Sequence, residues 1–274
     1  MTTNPILQYQ VAGVSFCIHF EDYAEGRALL PSYEPFLVEQ TDAPRIFTLT
    51  INKDAVDLNE AGKEIGRFDT PNSRHDVYLL SDGGYKMIVS NFRKEPAAAF
   101  VTNADFSSIK VSLFGNKRNW VFGLNNAIMI AFAFSGAQKD LLLIHASVTM
   151  KDGKGYLFLG KSGTGKSTHS QLWLKHIPGT ELLNDDNPAV RLINDEVIVY
   201  GTPWSGKTPC YKNKQVPIGA FVKLEQYPEN IIRREPPLKA FATLLTSTSS
   251  MLWDKPLYEK ICNTVSAIAM RAPL

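Results

Sequence analysis

The sequence is poor in cysteine. Its three, Cys17, Cys210 and Cys262, are far apart and odd in number. They make neither a disulfide framework nor a C-x-x-C metal site, and incidental thiols in a reducing compartment are the simplest reading. Charge of one sign is also scarce. Against 29 Lys and Arg stand 27 Asp and Glu, a formal net charge of +2. A surplus so small gives no reason to expect a nucleic-acid or membrane surface. The opening residues, Met1–Phe16, lack the basic start and long apolar run of a secretory signal peptide. Long apolar runs are missing elsewhere too. The most apolar stretch, Ala127–Ala137, is too short for an ordinary membrane span and is followed at once by Gln138-Lys139-Asp140. A buried helix is expected there, and a cytoplasmic protein overall. Internal repeats, low-complexity tracts and Pro- or Ser-rich linkers are absent, which excludes solenoids and loosely tethered modules.

What remains is an ordinary globular composition. Hydrophobic residues make up 44% of 274 and charged residues 20%, enough for one large domain or two of moderate size. The first hundred-odd residues read as short strands rich in β-branched and aromatic side chains: Val14–Phe20, Arg45–Asn52, Ser108–Phe114, and a hairpin over Asp76–Ser90 that turns at Ser81-Asp82-Gly83-Gly84. This spacing predicts a mainly antiparallel sheet. His19 and His75 are isolated and carry no expectation of a site. From Asn119 to Gln138 the pattern becomes helical and apolar on nearly every face. The expected domains are therefore 1–118, β-rich, and 119–274, with the helix 119–138 at the join. Beyond it strands and helices alternate: a strand over Leu141–Met150, a turn, a strand over Tyr156–Gly160, a helix over Lys166–Ile177 with Leu172 and Ile177 inward, and a helix over Pro237–Leu252.

The chemistry concentrates at Gly160-Lys161-Ser162-Gly163-Thr164-Gly165-Lys166-Ser167-Thr168, which satisfies G-x-x-x-x-G-K-[ST] between a predicted strand and a predicted helix. Gly160, Gly163 and Gly165 let the backbone curl without Cβ clashes. The N–H groups of Ser162, Thr164 and their neighbours up to Ser167 point into the concavity, and the helix dipole adds positive potential. Lys166 supplies a point charge for β- and γ-phosphates, Ser167 a hydroxyl for Mg²⁺, and Thr168 a reach to a nearby phosphate. The expected ligands are ATP and Mg²⁺. Asp185 follows Ser167 by 18 residues (185 − 167), at the end of a short strand through Leu182 and Leu183. One carboxylate of Asp185 and Asp186 would serve magnesium and the other would take the proton of an attacking hydroxyl.

These residues resemble those of the HPr kinase/phosphorylase family and its phosphoenolpyruvate-carboxykinase-like relatives. The likeness runs through Ile144-His145-Ala146-Ser147, the glycine loop and Asn184-Asp185-Asp186, with Ala146 where HPr kinases have glycine. It covers about residues 140–235. The resemblance implies an α/β (α+β) P-loop kinase domain of the HPr kinase/carboxykinase type, behind the β-rich N-terminal domain. It implies catalytic roles for Asp186, Asp185, His145 and Lys166, and metal binding by Ser167 and Asp185. His145 would lie near the transferred phosphoryl group or serve as a hydrogen-bonded strand residue. Tyr200–Lys207 is similar to a stretch of uncharacterised bacterial kinase-like relatives, which puts Thr202, Trp204 and Lys207 on the acceptor side. The N-terminal strands match neither group, so the acceptor need not be HPr. The implied activity is transfer of a γ-phosphoryl group to a hydroxyl on a protein, peptide or small molecule, in a possible homo-oligomer. Alternatives are a carboxykinase-related activity, for which no second ligand set is visible, and a nucleotide-binding regulatory protein without turnover.

Overall fold

A computed structural model describes residues 6–20, 23–52, 56–59, 62–69 and 72–274. By its internal contacts the chain divides into two compact units, Met1–Gly136 and Ala137–Leu274.

In the first unit β1 (Ile6–Val11) and β2 (Val14–His19) make a hairpin. Then come a short helix α1 (Tyr23–Leu29), a 3₁₀ turn (Pro31–Phe36), β3 (Arg45–Ile51), β4 (Lys63–Asp69), β5 (Arg74–Leu79), β6 (Tyr85–Ser90), β7 (Pro96–Thr102), β8 (Ser108–Leu113) and the long helix α2 (Lys117–Ala137). The eight strands form one sheet in the order β1-β2-β3-β8-β7-β6-β5-β4. The hairpin between β5 and β6 turns where Asp82 accepts from the Gly84 N–H and Gly83 takes φ of 85°. The sheet is mixed, because β3 runs parallel to both β2 and β8. Phe16 of β2 anchors the core, stacked on Phe47 at 4.8 Å and edge-on to Phe132 of α2 at 6.1 Å. Two small-residue positions let α2 lie close: a Cβ on Gly123 would sit 2.7 Å from the Ala97 carbonyl and the Ala98 side chain. By length and composition α2 could cross a membrane, since the whole helix is longer than its most apolar run. Yet 61% of its most apolar window is buried within the protein, as in the core helix of a soluble fold.

The second unit contains β9 (Leu141–Leu143), β10 (Ala146–Lys151), β11 (Lys154–Leu159), α3 (Lys166–His176), β12 (Glu181–Asp186), β13 (Ala189–Ile193), β14 (Glu196–Tyr200), β15 (Gln215–Lys223), α4 (Pro237–Ser247) and α5 (Lys255–Ala269). Its seven strands are ordered β12-β10-β11-β15-β14-β13-β9.

The expected α/β class, with a P-loop kinase domain of the HPr kinase/carboxykinase type, is overturned. Among the described residues the fold is mostly β, with fifteen strands in two mixed sheets and short helices apart from α2 and α5. In the second sheet only β11 and β15 pair in parallel. The reason lies in the connections. Parallel neighbours need a crossover of a dozen or more residues, usually helical. Here Asp152-Gly153 and Asn194-Asp195, all at positive φ, return the chain at once to an antiparallel neighbour.

Two further expectations shift. The strand over Leu141–Met150 is broken at Ile144 and His145. There the backbone turns to meet the segment after α4: the His145 N–H donates to the Ser247 carbonyl at 2.7 Å and the Ser249 N–H to that of Leu143 at 3.0 Å. The same bonds end α4 at Ser247 instead of Leu252. On α3, Leu172 is 49% exposed. The inward face is carried by His169, Ser170 and Trp173, with Trp173 against Phe158 at 5.4 Å and Tyr156 at 5.1 Å.

Candidate functional site

The glycine loop joins β11 to α3. Gly160, Gly163 and Gly165 have φ of 151°, 85° and 101°, values that L side chains resist. Gly163 and Gly165 would meet nothing within 4 Å if given a Cβ, so their φ and not crowding demands glycine. The loop is closed by Thr164, whose N–H and hydroxyl both donate to the Lys161 carbonyl, at 3.2 and 2.7 Å. Gly165 occupies the N-cap of α3 with no side-chain cap. Among the described residues, the N–H groups of Gly163, Gly165, Lys166 and Ser167 make no backbone hydrogen bond. They are the open donors of a helix start, and an anion would satisfy them.

Lys166 reaches back across the loop. Its ammonium donates to the Gly160 carbonyl at 2.9 Å and lies 2.9 Å from His145 Nε2. An ammonium has only protons to offer, so Nε2 is the acceptor and the imidazole proton sits on Nδ1. Nδ1 lies 3.2 Å from Asp186 Oδ1. The loop lysine, the strand-break histidine and the second aspartate thus form one chain of contacts. Burial lowers the pKa of His145 despite Asp186, and the cation of Lys166 lowers it further. Burial also lowers Lys166 against the pull of both aspartates. It raises Asp186, with His145 and Lys166 working the other way and Asp185 adding to the rise. A neutral imidazole between an ammonium and a carboxylate of heightened basicity results.

Asp185 is the buried partner, 4% exposed. Its Oδ1 accepts from Ser147 at 2.8 Å, whose hydroxyl also meets that of Ser170 at 2.6 Å, and its Oδ2 accepts from the Thr208 N–H at 3.1 Å. The register of β10 on β12 produces this, placing Ser147 opposite Asp185 and Ala146 opposite Asp186. Asn184 completes the edge. Its amide donates to Thr202 Oγ1 at 3.1 Å and to the Trp204 carbonyl at 3.0 Å, while its oxygen accepts from the Asp186 N–H at 2.9 Å.

Of the residues named from the sequence, the structure brings together Lys166, His145, Asp185 and Asp186 at the loop. Ser167 is half-buried at the first turn of α3, and Ser162 and Thr168 are exposed around it. On the expected acceptor side, Thr202 and Trp204 are buried and bonded to Asn184 and to each other, so they are scaffold. Lys207 alone of that trio is exposed. Residues to which the sequence assigns no role are Ser147, Ser170, Asn187, whose amide donates to Asp186 Oδ2 at 2.8 Å, and Thr208. A serine amid buried apolar strand residues was the available signal for Ser147.

Mg²⁺ takes oxygen ligands and keeps several waters, so few protein donors are needed. Among the described residues no group of three or more His, Cys, Asp or Glu side chains gathers to hold a metal, so the demand falls on single oxygen donors. Ser167 would hold it through its hydroxyl and Asp185 through lone pairs beyond those facing Ser147 and Thr208. No family model matches the chain, and no curated protein matches it. The resemblance to HPr kinases therefore rests on the residues quoted for it.

Proposed function

We propose that the chain is an ATP-dependent phosphotransferase acting on a hydroxyl. The observation that carries this is the contact chain Lys166–His145–Asp186, which sets a carboxylate of raised basicity beside the lysine of a phosphate-type loop. The triphosphate occupies the open N–H groups of the loop, with Lys166 on its outer phosphates. Magnesium supplies charge neutralisation for the phosphates. The acceptor oxygen forms a bond to the γ-phosphorus, the bond from that phosphorus to the β–γ bridging oxygen breaks, and ADP leaves. Asp186 takes the hydroxyl proton, and His145 holds the carboxylate in place. Asp185 fixes the turn that carries Thr208. Catalysis of this kind is mostly positioning and electrostatics. The three free cysteines and the ATP requirement suit the cytoplasm.

The test is calorimetric titration of ATP with and without Mg²⁺ into wild type and Lys166→Ala, followed by γ-phosphate release over time. Tight Mg²⁺-dependent binding that falls at least about tenfold in the variant is expected, since one charged phosphate contact is worth ~1.5–3 kcal/mol. Absence of binding in wild type would sink the reading. Binding without any turnover would leave a nucleotide-gated regulatory protein.

A further inference from the structure

The turn Ser205-Gly206-Lys207-Thr208 closes over the aspartate pair. Ser205 Oγ donates to the Thr208 carbonyl at 2.7 Å and pins the turn. The Gly206 N–H donates to the Asp185 carbonyl at 3.1 Å, and Ser205 bridges Asp186. Gly206 lies so flat on this edge that a Cβ would stand 2.6 Å from the Asp185 carbonyl oxygen and 3.3 Å from Asp186 Cβ. Glycine at 206 thus lets residue 207 arrive beside the carboxylates. Residue 207 lies between two positions whose N–H groups bond Asp185, and the Lys207 side chain is exposed and, among the described residues, without an ion pair. The other lysines of the segment differ. Lys212 and Lys214 share Glu181, at 3.1 and 3.4 Å. Lys161, on the glycine loop, is likewise exposed and without an ion pair among the described residues.

An exposed lysine without an ion pair, on the turn whose backbone is bonded to Asp185, is available to another anion. An anionic acceptor approaching Asp185 and Asp186 would be repelled, and a cation on the covering turn offsets that repulsion. We propose that Lys207 is a specificity residue and that the acceptor hydroxyl carries a carboxylate beside it. This rests on the phosphotransferase reading and goes beyond it by naming the acceptor's chemistry. The carboxylate has two sources, an Asp or Glu flanking a serine in a peptide or the acid group of a small hydroxy acid.

The experiment measures transfer of labelled γ-phosphate from Mg-ATP to two acceptor sets. One is serine peptides with Asp, Asn or Lys flanks; the other is glycerate and lactate with their amides. Acidic acceptors should exceed their neutral isosteres in kcat/KM by about fivefold, the size of a favourable exposed ion pair. Which set responds tells the two sources apart. Lys207→Ala should abolish the preference, Lys207→Arg should keep it, and Lys207→Glu should turn it toward Lys flanks. Equal use of acidic and neutral acceptors, or a preference that survives Lys207→Glu, overturns the proposal and leaves the phosphotransferase standing. Nucleotide hydrolysis with no transfer to any acceptor also overturns the proposal but leaves the nucleotide site. Failure to bind ATP removes both.

Discussion

Asp76 in the first unit and Asp186 in the second are opposites. In the first, Asp76 on β5 is 2% exposed and takes Arg67 Nε at 2.6 Å on one oxygen and Arg74 Nε at 2.7 Å on the other. Burial by itself would raise its pKa, but the two guanidinium hydrogen bonds outweigh it and hold the carboxyl below its ordinary value. In the second, Asp186 is 35% exposed in its side chain, faces a neutral imidazole and an amide, and is pushed up by burial. Asp76 is saturated: its charge is satisfied and its proton gone. Asp186 is left undercompensated beside open N–H donors. The contrast separates a group that fastens two strands from one poised to accept a proton.

The largest expected effect breaks the second member. Asp186→Asn keeps the shape and can keep the bond from Asn187, but it cannot take a proton. Phosphoryl transfer should fall by roughly 10²–10⁴-fold, the usual worth of a general base. ATP affinity, measured by titration in the same preparation, should change far less. A variant that still transfers at more than a tenth of the wild-type rate would remove Asp186 from the base role.

The next effect breaks the first member. Asp76→Asn loosens the edge strand β4 from β5 at the Arg67 contact and also gives up Arg74, two residues away on β5 itself. Both arginines are substantially exposed, so solvent screening limits the loss to ~1–2 kcal/mol. Denaturant unfolding followed by hydrogen exchange in β4 and β5 reads it, and phosphoryl transfer is the contrasting readout. Acid sharpens the same point. A carboxyl whose folded pKa lies below its unfolded value of 3.8 contributes stability above that value and loses it as pH falls through the folded pKa. The gap in denaturation midpoint between wild type and Asp76→Asn should therefore stay constant from pH 7 to 5 and close below about pH 4.

Much of the second site was legible because its signals are local. Glycines at positive φ, a lysine at a helix start and two adjacent acids are all readable as short motifs, and they do meet. Ser147, Ser170 and Thr208 were not legible as partners of Asp185, because only the pairing of β10 with β12 and the fold of the 201–212 segment bring them there. The Asp76 cluster was invisible for the same reason. Arg67 and Asp76 are neighbours through β4–β5 pairing, and β4, with Gly66 and four charged residues in a row of seven, has no strand-like alternation. The hairpin at Asp82-Gly83-Gly84 was readable, whereas the parallel contacts of β3 with β2 and β8 join residues far apart in sequence. Strand β7 was missed because Ala97-Ala98-Ala99 reads weakly as β; its alanines answer to the close approach of Gly123 on α2. The α/β expectation failed at this level as well, since motif spacing around the loop says nothing about which neighbour each strand will choose.

The smallest effect is the most discriminating, because it has the opposite sign in the two units. A carboxyl whose folded pKa is raised binds its proton more tightly folded than unfolded. The stability it contributes is full below the unfolded value of 3.8 and is lost as pH rises through the folded one. At pH 7 the ionised Asp186 is therefore a cost. Its partial exposure screens that cost to about 0.5 kcal/mol. Asp186→Asn should raise the denaturation midpoint slightly at pH 7 while removing transfer, whereas Asp76→Asn lowers the midpoint. Below pH 3.8 wild-type Asp186 is itself protonated, so the variant's advantage over wild type should vanish there. If Asp186→Asn instead destabilises the fold at pH 7 as much as Asp76→Asn does, Asp186 is a structural acid like its counterpart. The distinction between a fastened and a poised carboxylate would then be lost.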